Sequence, residues 1–181
     1  MKVKYDTWVQ NLSDWANDNN FSFKVVKNPS LGFRLDYLLI EIGLEIEKSG
    51  AVKISQSSVG TTVDVSVSYL KFDNHNKKVR NFDLSLYQKD FFNRLFNKNL
   101  IKTGNLDFDK RFGVITNNTL LAKQLFTDSK IQTFFLGNPF LTFNIAQSLI
   151  TMKSMNMKCY DKNELQELFD MFIRILKLLT N

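Results

Sequence analysis

One histidine and one cysteine, His75 and Cys159, are available for chemistry in a chain of 181 residues. Nucleophilic catalysis needs a base within hydrogen-bond reach of the nucleophile and a third group that orients the base. His75 stands in the polar run Asp73-Asn74-His75-Asn76-Lys77 with no such neighbour, and it reads as an exposed loop residue. Cys159 follows Met155 and Met157 and reads as a buried, inert thiol. Carboxylates offer more. Glu41, Glu45 and Glu47 share one face of an alternating segment, a spacing at which carboxylates can hold a divalent cation. The same row is the ordinary wet face of a sheet paired with lysines, and that reading is adopted. Asp107, Asp109 and Arg111 make either a polar site or a structural turn network, and the turn is the reading adopted. The seven glycines never fall into a phosphate-cradling spacing, and Gly137-Asn138-Pro139 reads as a turn. No cofactor is implied and no metal site is assigned, so enzymatic activity is the least supported class of function.

Charge points to a surface rather than to a reaction. The formal net charge is +6, from 24 basic and 18 acidic residues. The densest basic stretch, a possible basic surface, is Arg94, Lys98, Lys102, Lys110 and Arg111, relieved by Asp107 and Asp109; Lys77, Lys78 and Arg80 form a second cluster. This is mild for a nucleic-acid binder, which usually concentrates its cations in a stripe. Weak nucleic-acid binding is therefore the third expectation for function.

The elements that must position these residues follow from periodicity. Tyr5, Trp8, Leu12 and Trp15 mark one face of a helix, with Asp6 or Thr7 able to cap its start and Asn17 to Asn20 able to end it. Phe21, Phe23 and Val25 alternate, as do Ile40, Ile42, Leu44 and Ile46. A loop at Lys48-Ser49-Gly50 would pair Ile46 with Val52, Leu44 with Ile54 and Glu45 with Lys53. Val63, Val65, Val67 and Tyr69 continue the pattern, and so do Phe82, Leu84 and Leu86, so residues 21–87 predict an antiparallel meander of about five strands. The period then changes. Phe91, Phe92, Leu95 and Phe96 suit a short helix; a strand at 112–116 leads to a helix capped by Asn117 or Asn118; Ile131, Phe134 and Phe135 sit on another helix. Leu141, Phe143 and Ile145 predict a strand, with one more between Leu149 and Met157. Asp161-Lys162-Asn163-Glu164 resembles a capping box, and Leu165, Leu168, Phe169, Phe172, Leu176 and Leu179 form a wide apolar stripe on the helix that follows.

The run Gly104-Asn105-Leu106-Asp107-Phe108-Asp109-Lys110-Arg111-Phe112-Gly113-Val114-Ile115-Thr116-Asn117-Asn118, followed by Leu121-Ala122 and Leu125-Phe126, resembles a segment of uncharacterised bacterial protein families of unknown function. Those families carry a Gly, then Phe-Asp-x-x-Phe-x-Val, a polar turn and a helix. The resemblance covers about the last 80 residues and implies a strand–turn–helix fold. No activity is attached to these families, so it implies no functional residue. Within the segment, Phe108 and Phe112 are expected to plant the structure in the core, and Asp109 to accept backbone N–H bonds in a structural turn motif.

The expected fold is a single α+β domain spanning 1–181, with a two-part organisation (1–103 and 104–181) as the variant. An N-terminal helix precedes the meander, a smaller αβ portion follows, and a long C-terminal helix packs on the sheet. No stretch is apolar enough to span a membrane, and a single cysteine suits a reducing compartment, so the chain is expected in the cytoplasm. The leading expectation for function is non-catalytic binding of a protein partner, in the manner of an inhibitor, immunity or adaptor module. The alternative is a carrier that holds an apolar small molecule in a cavity lined by some of the 17 phenylalanines.

Overall fold

A computed structural model describes residues 3–28, 37–46, 50–59, 62–63, 67–73, 81–89, 100–138, 140–147, 149–155 and 162–180. The elements run β1 (Val3–Lys4), α1 (Tyr5–Asp18), β2 (Ser22–Asn28), β3 (Tyr37–Ile46), β4 (Gly50–Val59), β5 (Thr62–Val63), β6 (Val67–Asp73), β7 (Leu84–Gln88), α2 (Leu106–Arg111), β8 (Phe112–Thr116), α3 (Thr119–Phe126), α4 (Ser129–Gly137), β9 (Leu141–Ala146), β10 (Leu149–Met155) and α5 (Lys162–Thr180). The architecture is α+β. The chain divides into two compact units, one of Met1–Phe72 with Lys153–Asp170 and the other of Asp73–Met152 with Met171–Asn181.

In the first unit, α1 buries Trp8, Leu12, Trp15 and Ala16, the face predicted by their spacing. It ends within the asparagine run. Asn20 takes the left-handed conformation with φ 57°, which asparagine tolerates better than most residues. The Phe21 N–H then donates to the Ala16 carbonyl at 2.8 Å and the Asn20 N–H to Asn17 at 3.1 Å, a Schellman closure. Its hydrophobic clasp is Phe21 against Trp15, with ring centroids 5.2 Å apart. Phe169 of α5 joins both rings, and the Trp15 indole N–H donates to the Gln166 side chain at 2.8 Å.

Four antiparallel strands follow in the order β2-β3-β4-β6. The register of β3 with β4 pairs Ile46 with Gly50, Leu44 with Val52 and Ile42 with Ile54. It differs by two residues from the pairing that the sequence pattern suggests, so Gly43 rather than Glu45 stands opposite Lys53. A two-residue slip keeps every side chain on its face and exchanges one set of apolar pairs for another, so alternation alone cannot choose between them. Thr62–Val63 pairs with Val3–Lys4 instead of extending the four-stranded ladder.

The fifth predicted strand exists as β7, but its partners are β8 and β9, in the order β10-β9-β7-β8 within the second unit. Leu86 stands between Val114 and Phe143, and Leu84 between Thr116 and Ile145. Alternation identifies a strand and not its neighbour. A polar clamp ties β7 to β8 at the end of their ladder. The Asp83 N–H donates to Asn117 Oδ1 at 2.9 Å, Asn117 Nδ2 donates to the Asn81 carbonyl at 2.9 Å, and the Thr116 hydroxyl donates to the Asp83 carbonyl at 2.6 Å. Gly113 pairs with Tyr87 across this ladder, and a Cβ at position 113 would lie 2.6 Å from Tyr87 Cζ. Only glycine leaves room for the ring as it lies here.

The core of the second unit is a phenylalanine cluster. Phe108, Phe112, Phe126, Phe135 and Phe143 are all buried, and each of their rings meets at least one other of the five. In α5 the predicted stripe Leu165, Leu168, Phe169, Phe172, Leu176 and Leu179 is buried, together with Ile175. Asp161, the first residue of the predicted capping box, and the predicted helix at Phe91–Phe96 lie outside the described residues.

Candidate functional site

Most of the chemistry-bearing residues that are described gather in the second unit. Helix α2 is a short one closed at both ends by its own sequence. At its start Asn105 Oδ1 accepts from the N–H groups of Asp107 and Phe108, both at 3.1 Å. The helix stops where the Phe112 backbone turns extended to begin β8. Asp109, 8% exposed, points inward. Its carboxylate accepts from the Thr103 N–H at 2.9 Å, from the Thr103 hydroxyl at 2.9 Å and from the Gly104 N–H at 3.3 Å. Gly104 takes φ +93°, a conformation open to glycine at little cost, and that conformation aims the two successive N–H groups at the carboxylate. Gln132 of α4 joins the network. Its side-chain oxygen accepts from Asn105 Nδ2 at 2.9 Å, and its Nε2 donates to the Phe126 carbonyl. Asp109 therefore does what a turn residue does, and Phe108 and Phe112 are buried on either side of it.

The second carboxylate built into this unit is Asp128. It caps α4, accepting from the N–H groups of Lys130 at 2.9 Å and Ile131 at 3.3 Å. Arg174 of α5 donates to the same carboxylate from Nε at 2.8 Å and from Nη2 at 2.6 Å. Burial works to raise the pKa of Asp128, but the Arg174 hydrogen bond, the two backbone N–H groups and the guanidinium charge outweigh it and hold the carboxyl below the usual value. A carboxyl whose pKa is depressed by folding contributes stability above its unfolded pKa of about 3.9 and loses it as pH falls through the lower folded value. Arg174→Met is expected to cost about 1 kcal/mol at neutral pH, a modest figure because the arginine is 42% exposed. Urea unfolding of both proteins from about pH 6 to about pH 2 should show that difference shrinking below roughly pH 4. A difference that stays constant would assign Arg174 a packing role instead.

The cations of the predicted basic stretch are partly visible. Lys102, Lys110 and Arg111 are exposed, while Arg94 and Lys98 lie outside the described residues. Arg111 Nη1 donates to the Leu136 carbonyl at 2.7 Å, in the last turn of α4, where a cation also meets the negative end of the helix dipole. His75, Lys77, Lys78, Arg80, Glu47 and Cys159 are outside the described residues as well. Glu41 and Glu45 stand in β3 opposite Ser55 and Ala51, and Glu41 also stands opposite Lys24 of β2, but their side chains are not among those described. Among the described residues no group of three or more His, Cys, Asp or Glu side chains is placed to hold a metal ion, and no helix is long and apolar enough to cross a membrane.

Charge is divided unequally between the units. The first contains 11 basic and 12 acidic residues, net −1, and the second 13 basic and 6 acidic, net +7. Two of those six acids, Asp109 and Asp128, are turned inward to bonds with the protein.

The residues that sequence reasoning missed are apolar and exposed. Leu106 is 86% exposed, Leu120 69% and Phe140 58%. Leucine and phenylalanine read as core in any pattern. Only the closed phenylalanine cluster shows that these three were left out of it.

No family model, curated protein or solved structure matches the chain.

Proposed function

We propose that the protein acts by binding a protein partner, without catalysis, and does so in the cytoplasm of a bacterium. The observation that carries this reading is the exposure of Leu106, Leu120 and Phe140 on a unit whose core is otherwise closed by ring-on-ring contacts. Large apolar side chains held in water are a cost that a partner surface recovers. The bonded carboxylates support the same reading. Asp109 and Asp128 are engaged in holding turns and caps, which leaves them little freedom for turnover. The rings of the phenylalanine cluster contact one another, which favours partner binding over storage of an apolar ligand among them. The bacterial assignment rests on the resemblance read from the sequence of residues 104–118.

Native mass spectrometry of the purified protein beside its denatured mass is the first test. The expected result is the bare chain, followed by capture of a discrete protein from the source cell at defined stoichiometry. Extra mass lost on denaturation would move the carrier reading to the front. Turnover that disappears with Asp109→Asn while urea unfolding shows the variant still folded under the assay conditions would replace partner binding by catalysis.

A further inference from the structure

Helices α2 and α4 are joined at two points, and those points define a face. At one end Asn105 bonds Gln132, and at the other Arg111 bonds the Leu136 carbonyl. Leu106 and Lys110 are four residues apart on α2 and so share one side of it, exposed. Leu106 and Arg111 are about 7.5 Å apart along the helix axis. Beyond Leu136, the Leu141 N–H donates to the Asn138 carbonyl and closes a turn that carries Phe140. Leu106 thus marks one end of the α2–α4 pair and Phe140 follows the other, with Lys110 and Arg111 between them and Lys102 on the approach to α2. The carboxylate of α2 that would have offset these cations, Asp109, is turned inward; Asp107 alone remains exposed on the helix.

We infer that this face docks an acidic protein segment whose apolar side chains cover Leu106 and Phe140 while its carboxylates meet Lys102, Lys110 and Arg111. The inference rests on the partner-binding reading and names the chemistry of the partner. Charge complementarity selects the occupant, since Lys102, Lys110 and Arg111 are exposed here against the single exposed carboxylate of α2, Asp107. The apolar pair then selects a polypeptide over a nucleic acid. A phosphate backbone would use the cations and leave Leu106 without a partner, whereas an amphipathic acidic segment uses both.

The probe is a fluorescein-labelled peptide of about 16 residues built from Glu, Leu and Phe, compared with a Glu-only peptide of the same length and a single strand of DNA of similar charge. Anisotropy titrations are run at about 50 mM and about 300 mM salt, a range over which exposed ion pairs are progressively screened. The Glu-Leu-Phe peptide should bind most tightly. Lys102→Glu with Lys110→Glu should weaken it at least tenfold, and Leu106→Ser with Phe140→Ser at least fivefold. Arg111 stays in place because it also holds α4, and all four substituted residues are exposed, so the variants should unfold at the wild-type urea midpoint. DNA binding as tightly as the peptide, or affinity unchanged by either pair of substitutions, would overturn the inference. A partner captured equally well by wild type and by both double variants would overturn this surface while leaving partner binding itself standing.

Discussion

Phe135→Ala is expected to cost about 4 kcal/mol, a large share of the roughly 5–15 kcal/mol by which a domain is stable. The ring is fully buried and meets four others, with centroids 6.2 Å from Phe112, 6.4 Å from Phe126, 5.8 Å from Phe134 and 6.2 Å from Phe143. Removing it takes away its own transfer from water and leaves a cavity that rings on α3, α4, β8 and β9 would all have to move to fill. Phe135→Leu keeps most of the volume and should cost about 1–2 kcal/mol. Phe140→Ala, at a 58% exposed position five residues along, is the internal control and should stay within about 0.5 kcal/mol of wild type. Urea unfolding measures all three. Similar costs for Phe135→Ala and Phe140→Ala would mean that the cluster is not packed as described, and that the exposed surface is not a surface.

Asp109→Ala is the second large effect, about 2–4 kcal/mol. It leaves two backbone N–H groups and a hydroxyl, at Thr103 and Gly104, without the acceptor that now satisfies them in a partly buried turn. Asp109→Asn keeps one oxygen and should fall between alanine and wild type. Hydrogen exchange at the Thr103 and Gly104 amides gives the residue-level readout, and protection there should fall with either substitution. Were Asp109 held for chemistry, its removal would leave stability unchanged or raise it, as commonly happens when a strained functional group is relieved.

What could be read beforehand was local. The face of α1, the alternation of β9 and the stripe of α5 each depend on residues within a few turns of one another, and each is found where its period puts it. The cap at Asn118, whose side chain accepts from the Leu121 N–H, lies within one turn of its helix and was legible for the same reason. So was Asp109, whose donors are five and six residues away. Contacts between distant segments were not legible. Gln132 stands between Ile131 and Thr133 on α4, and nothing in that neighbourhood announces its burial, which Asn105 and Phe126 make possible by supplying its partners. Arg174 and Asp128 are 46 residues apart and nothing in either neighbourhood announces the other. Of the candidate face, the lysines and Arg111 were recognisable as charge. Leu106 and Phe140 were not recognisable at all, since apolarity carries no record of whether the core had room.

The division of the chain also bears on how the protein is made. The first unit takes in residues 1–72 and then 153–170, so the ribosome delivers its beginning early and its end late. Trp15 and Phe21 wait for Phe169 while the chain between them, residues 73–152 of the second unit included, is made, about 7–30 s at usual elongation rates. The intervening segment can complete its own sheet in that time, because β7, β8, β9 and the start of β10 all precede residue 153. Its Asp128 nevertheless remains without Arg174 until α5 emerges. Emergence of α5, rather than the appearance of either half, is therefore the moment at which both units can close.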